Sequence, residues 1–104
     1  MKTTLYFGQS RPDGSFIAEN EWTNFNENQI SKVFREGCTI INAKGNWLDP
    51  GTKKIISEPT YMVIYFYKKS SQKSKQIDSL RNLYKRIFFQ QSVLRTDNKV
   101  KPDF

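Results

Sequence analysis

The side chains able to do chemistry are narrowly restricted here, because the chain has no histidine and a single cysteine, Cys38. Ser-His-Asp and Cys-His catalysis are therefore excluded, as is a zinc site of the usual Cys and His ligands. Carboxylates remain for acid–base work, and Glu58 and the loop residue Asp13 are the candidates. No two carboxylates have metal-binding spacing, no glycine-rich loop suits a phosphate, and no nucleophile has an activating neighbour. Cys38 opens a strand directly after Gly37, with no helix N-terminus to lower its pKa, and reads as a buried inert thiol. Binding is a better reading than catalysis.

Two groups of residues suit binding. The turn Arg11-Pro12-Asp13-Gly14 fixes where an arginine projects, since proline presets φ and Gly14 can take a positive one. A guanidinium there offers a planar fork for carboxylate or phosphate. Charge is also uneven along the chain. Residues 1–52 hold five Lys/Arg against six Asp/Glu, net −1, and residues 53–104 hold twelve against four, net +8. Such asymmetry points to one surface that attracts anions, whether nucleic acid, nucleotide or an acidic protein.

These residues need a scaffold, and 104 residues allow one domain, 1–104, with a single core. Fifteen aromatic residues must supply much of that core. Thr3–Gly8 alternates as a strand, with Leu5 and Phe7 on one side and Thr4 and Tyr6 on the other. Glu19–Phe34 reads as a helix burying Trp22, Phe25, Val33 and, at the margin, Ile30, and Gly37 ends it. Cys38–Ala43 reads as a strand, followed by a turn at Lys44-Gly45-Asn46 or Asp49-Pro50-Gly51. Ile55–Lys68 is the strongest strand signal. After a polar connector, Lys75–Phe89 reads as a second helix with Ile77, Leu80, Tyr84, Ile87 and Phe88 inward, and Ser92–Val100 as a last strand. The order β-α-β-β-α-β predicts an α+β, ferredoxin-like βαββαβ sandwich, a four-stranded antiparallel sheet with two helices on one face and strand order 4-1-3-2.

The third strand alternates Met62, Ile64 and Phe66 with Tyr61, Val63, Tyr65 and Tyr67. The first set has no polar atoms to satisfy, so it is expected against the helices. Tyr61, Tyr65 and Tyr67, joined by Tyr6, would then band the uncovered side. Such a band suits a homodimer interface, or a platform on which single-stranded nucleic acid stacks. An edge strand is the other route to a dimer.

In order along the chain stand Tyr6-Phe7-Gly8-Gln9-Ser10-Arg11-Pro12-Asp13-Gly14, Glu21-Trp22 with Phe25, and Phe34 with Gly37 and Thr39-Ile40. Gly45 with Trp47 before a glycine turn, Glu58-Pro59, and Tyr84-Lys85 with Phe88, Gln90 and Ser92-Val93-Leu94-Arg95 complete the series. From about Thr4 to Phe104 this series resembles a bacterial family catalogued as domain of unknown function 3574, to which no activity is assigned. The resemblance singles out Arg11, Trp47, Glu58, Gln90, Ser92 and Arg95. It also marks departures: Ala18 where a capping Ser or Thr is usual, Asn26 and Gln29 at apolar positions, Arg35 for proline and Phe89 for glycine.

The expected function is a non-catalytic module binding a small anionic, nucleotide-like ligand through Arg11, Trp47, Glu58, Gln90 and Arg95. No cofactor and no metal are expected. Size and the lack of a signal-type segment after Met1 suggest a cytoplasmic phage or mobile-element accessory protein that sequesters a signalling nucleotide. The alternatives are single-stranded nucleic-acid binding, an enzyme acting on a phosphorylated small molecule with Glu58 as base, and a protein–protein adaptor. No stretch approaches the ~20 apolar residues of a membrane span.

Overall fold

The alternating amino end becomes β1 (Lys2–Gly8) in the computed structural model, which describes all 104 residues. Loop residues 9–18 lead into the first helix, α1. It runs through Glu19–Phe25, a π turn at Asn26–Ile30, and a last turn at Ser31–Val33. The chain continues through β2 (Thr39–Leu48), β3 (Ile55–Phe66), the second helix α2 (Ser71–Phe88) and β4 (Leu94–Asn98). The sheet order is β2-β3-β1-β4 with every neighbour antiparallel, as the sequence pattern predicts.

The π turn explains an oddity of the sequence. On an ideal wheel Ile30 lies at the margin of the α1 stripe, yet it is fully buried. One extra residue per turn delays the helix phase. The buried positions therefore run Trp22, Phe25, Ile30, Phe34, spaced three, five and four. Asn26 and Gln29 are rotated to half-buried flanks, and Val33 is also only half-buried. Ala18 keeps half of a capping box: Glu21 accepts from the Ala18 amide at 3.0 Å, but alanine returns nothing. At α2, Ser70 is the cap rather than part of a connector, its hydroxyl accepting from the Lys73 amide at 3.0 Å. Ile87, expected inward, is 46% exposed.

The side assignment of β3 is the main correction. Register pairs Tyr61 with Phe7, Val63 with Leu5 and Tyr65 with Thr3. Because Leu5 and Phe7 face the helices, the odd-numbered set of β3 does too. Tyr65 and Tyr67 are 1% and 9% exposed, and Tyr61 stacks on Trp22 with centroids 4.4 Å apart and planes at 2°. The expected phenol band does not exist; Tyr6 alone of the four faces away from the helices. Partners satisfy the buried hydroxyls. Tyr65 donates to the Glu36 carboxylate, and Tyr67 shares a 2.6 Å hydrogen bond with Thr3. The dimer and stacking surfaces expected from those phenols go with the band. The uncovered side instead presents Ile41, Phe66 and Leu94, each more than a third exposed.

Phe89 ends α2 in the left-handed region, φ 55° and ψ 43°, a backbone conformation that suits glycine better than a residue with a side chain. A side chain in that conformation costs roughly 1 kcal/mol, and the ring is 69% exposed, so it recovers little by packing. Phe89→Gly is expected to raise the thermal midpoint by several degrees, read by circular dichroism. A lower midpoint would show that the ring contributes packing that outweighs the strain.

Candidate functional site

The five residues expected to bind a ligand are distributed by the fold over three places. Arg11 is used internally. Its turn closes with Gly14 N–H donating to the Arg11 carbonyl at 3.0 Å, and Gly14 takes φ 88°. One guanidinium nitrogen then donates to the Phe16 carbonyl at 3.0 Å and another to the Glu21 carboxylate at 2.6 Å. The fork thus clamps loop 9–18 onto the start of α1. The Ala18 amide and that guanidinium together hold the Glu21 carboxyl below its usual range.

Arg95 lies elsewhere. It sits opposite Leu5 in the β4 ladder and reaches toward α2, donating to Asp78 at 2.9 Å, the Ser74 carbonyl at 3.2 Å and Ser74 Oγ at 3.1 Å. It also pairs with Asp97 at 3.2 Å. Burial alone would raise the Asp78 carboxyl, but hydrogen bonds from Arg81 and Arg95 outweigh it and hold the group low. Both expected anion-binding forks therefore have carboxylates of their own.

Glu58, Gln90 and Trp47 define the remaining place. Glu58 pairs with Gly45 in β3–β2, and Gly8 pairs with Thr60. All four residues belong to the uncovered side, at the end of the sheet where β4 no longer flanks β1. A Cβ built on Gly8 would lie 3.1 Å from Glu58 Oε1 and 3.4 Å from Gln90 Oε1. Glycine at position 8 is what lets the Glu58 carboxylate lie over the β1 backbone. Gln90 is oriented by its amide nitrogen, which donates to the Ser10 carbonyl at 2.8 Å and the Phe88 carbonyl at 3.0 Å. Its carbonyl oxygen is thereby turned toward the same spot as the carboxylate.

Two acceptor oxygens thus converge, and no donor of the chain answers them. The ion pairs are Arg11–Glu21, Arg81–Asp78, Arg95–Asp78 and Arg95–Asp97, and Glu58 is in none of them. Beneath the site, Tyr84 donates to the Gly8 carbonyl at 2.6 Å and accepts from Gln9 at 3.0 Å. Burial pushes the Tyr84 phenol up, and the charge of Glu58 adds to the rise. Trp47 pairs with Ile56, two rungs beyond Gly45–Glu58 and on the same side, about 7 Å along the ladder. Its ring is 50% exposed. Ser92 is exposed and makes no such contact with this place.

Sequence reasoning missed Gly8 and Gly45 as the two bare positions flanking Glu58. The sequence reads Gly8 as the end of a strand and Gly45 as part of a turn; only the continuation of β2 through Gly45 to Leu48 makes Gly45 a strand glycine, where glycine marks close approach.

The chain belongs to the family described as "Protein of unknown function (DUF3574)", which matches residues 2–104. No curated protein matches the chain. Among solved structures, its fold is similar to that of a phage SAM lyase in complex with S-methyl-5'-thioadenosine. That match has a TM-score of 0.66 at 12% identity, covering 90% of this chain and 76% of the other. The apo state of a phage SAM lyase matches with the same TM-score at 13% identity, covering 90% and 75%. At such identities the likeness is one of fold.

Proposed function

We propose that the chain is a small-molecule binding module whose site is Glu58, Gln90 and Trp47, and whose ligand is nucleoside-like and rich in hydrogen-bond donors. The observation that carries this reading is the convergence of Glu58 Oε1 and Gln90 Oε1 over Gly8 with no donor between them. Ribose hydroxyls or an exocyclic amine would supply the missing donors, and a carboxylate acceptor makes those hydrogen bonds stronger than neutral ones. Trp47, on the same side, offers a ring to stack on a base. The fold neighbour in complex with S-methyl-5'-thioadenosine, a nucleoside thioether, supports the ligand class. Its phage source agrees with a phage accessory role for this chain.

The charge sense differs from the sequence expectation. Arg11 and Arg95 are occupied by carboxylates, so the site is electronegative where an anionic nucleotide needs it positive. A neutral or cationic nucleoside fits better than a phosphorylated one. No second carboxylate or activated nucleophile accompanies Glu58, and this favours binding over turnover.

Calorimetry with S-methyl-5'-thioadenosine, adenosine and its 5'-monophosphate tests the reading. The two uncharged nucleosides are expected to bind, and Glu58→Gln to weaken them about tenfold or more, the usual scale for a hydrogen bond to a charged group. Absence of heat, or an undiminished affinity in Glu58→Gln, would remove the site. A monophosphate that binds better than adenosine would return the assignment to the arginines.

A further inference from the structure

At the other end of the sheet, three strand ends bring lysines together that the sequence keeps apart. Lys2 stands opposite Phe66 on one side and Asn98 on the other. Lys68 and Lys69 follow the first of these partners, and Lys99 and Lys101 the second. The Met1 amino group donates to the Tyr67 carbonyl at 2.9 Å, which ties the start of β1 to the end of β3. None of the five lysines takes part in an ion pair, and the nearest strand carboxylate, Asp97, is engaged by Arg95 and Thr3. Asp103 is the other acidic side chain nearby in sequence. Phe66 lies on the uncovered side with Lys2 and is 38% exposed, an aromatic face beside unpaired cations.

We propose that this end binds single-stranded nucleic acid, with Lys2, Lys68, Lys69, Lys99 and Lys101 on phosphates and Phe66 stacked on a base. Unpaired lysines release condensed counterions when they meet a phosphate backbone, which gives affinity without sequence preference. An exposed ring among them adds the base stacking that single strands allow and duplexes do not. The site is separate from Glu58. Lys2 and Gly8 are six residues apart on β1, about 20 Å, so each site can fail without the other.

Fluorescence anisotropy with a labelled twelve-residue oligothymidylate, followed from 50 to 200 mM NaCl, tests this. With three to five lysines engaged, log Kd against log salt is expected to have a slope of about 2 to 3.5 in magnitude. Lys68→Glu with Lys69→Glu is expected to weaken binding strongly and to cut the slope by about 1.4. Phe66→Ala is expected to weaken it at least about fivefold with the slope unchanged. Glu58→Gln should leave it untouched. The proposal is overturned by no binding at 50 mM NaCl. It is equally overturned if Lys53→Glu with Lys54→Glu, on the distant hairpin, weakens binding as much, since bulk charge would then be responsible. Equal binding to a duplex of the same length or to phosphatidylserine vesicles also overturns it.

Discussion

Tyr65→Ala is expected to cost about 3–5 kcal/mol, the range for removing a large aromatic side chain from a core. The ring is 1% exposed and lies between Phe34, centroid distance 4.2 Å, and Tyr67, 5.0 Å. Lys73 Nζ sits 5.6 Å from its centroid. Its hydroxyl is also the main reason the Glu36 carboxyl is held low, so the truncation removes a hydrogen bond to a charge as well as a packed ring. A domain of this size has roughly 5–15 kcal/mol in all, so the variant should be near or past its unfolding threshold at room temperature. Phe66→Ala, one residue along the same strand, should cost about 1 kcal/mol or less, because its ring is 38% exposed on the side away from the helices. Urea melts of both variants measure the ranking. Equal losses, or the reverse order, would mean that β3 presents its other side to the core.

That pair of variants isolates what the sequence could not resolve. The segment Tyr61–Tyr67 is apolar on both alternations, and periodicity therefore says strand without saying which side is inward. Preferring the hydrocarbon set for the core ignored partners that only the tertiary fold brings near: Glu36 for Tyr65 and Thr3 for Tyr67. A buried phenol with its hydrogen bond made is no liability. By contrast, the order of elements and the strand order were legible, because short connections and the apolar central strands β1 and β3 leave few alternatives. The π turn was not, since nothing in Asn26–Ile30 announces an extra residue; only the misfit of Ile30 on an ideal wheel hinted at it. The candidate site was half legible. Glu58, Gln90 and Trp47 share one side at one end of the sheet, whereas the forks of Arg11 and Arg95 find Glu21 and Asp78 at sequence separations of 10 and 17. A guanidinium that looks free in a sequence is free in a fold only if no carboxylate lies across the next element.

Raising the pH should unfold the protein cooperatively through the same phenols. Burial is the first cause that lifts Tyr65 and Tyr84 above the ordinary tyrosine range, and for Tyr65 the hydrogen bond to Glu36 adds to it. In the unfolded chain both groups lose their protons near pH 10, at about the model-peptide value. The stability each contributes is therefore complete below about pH 10 and declines above it, because the unfolded state releases protons that the folded state retains. Each group can remove at most about 1.4 kcal/mol per pH unit, so the two together approach 5 kcal/mol by pH 12. That is comparable with the whole stability of a small domain. Phenolate absorbance at 295 nm and near-ultraviolet circular dichroism, recorded together from pH 9 to 12.5, should show a late rise in phenolate coincident with loss of the aromatic signal. Tyr84→Phe removes one of the two groups and should shallow the decline by about half, at the separate cost of an unpaired Gly8 carbonyl at neutral pH. Tyrosines that all titrate smoothly near pH 10, with the aromatic signal intact, would place Tyr65 and Tyr84 in contact with water and take the core arrangement of β3 with them.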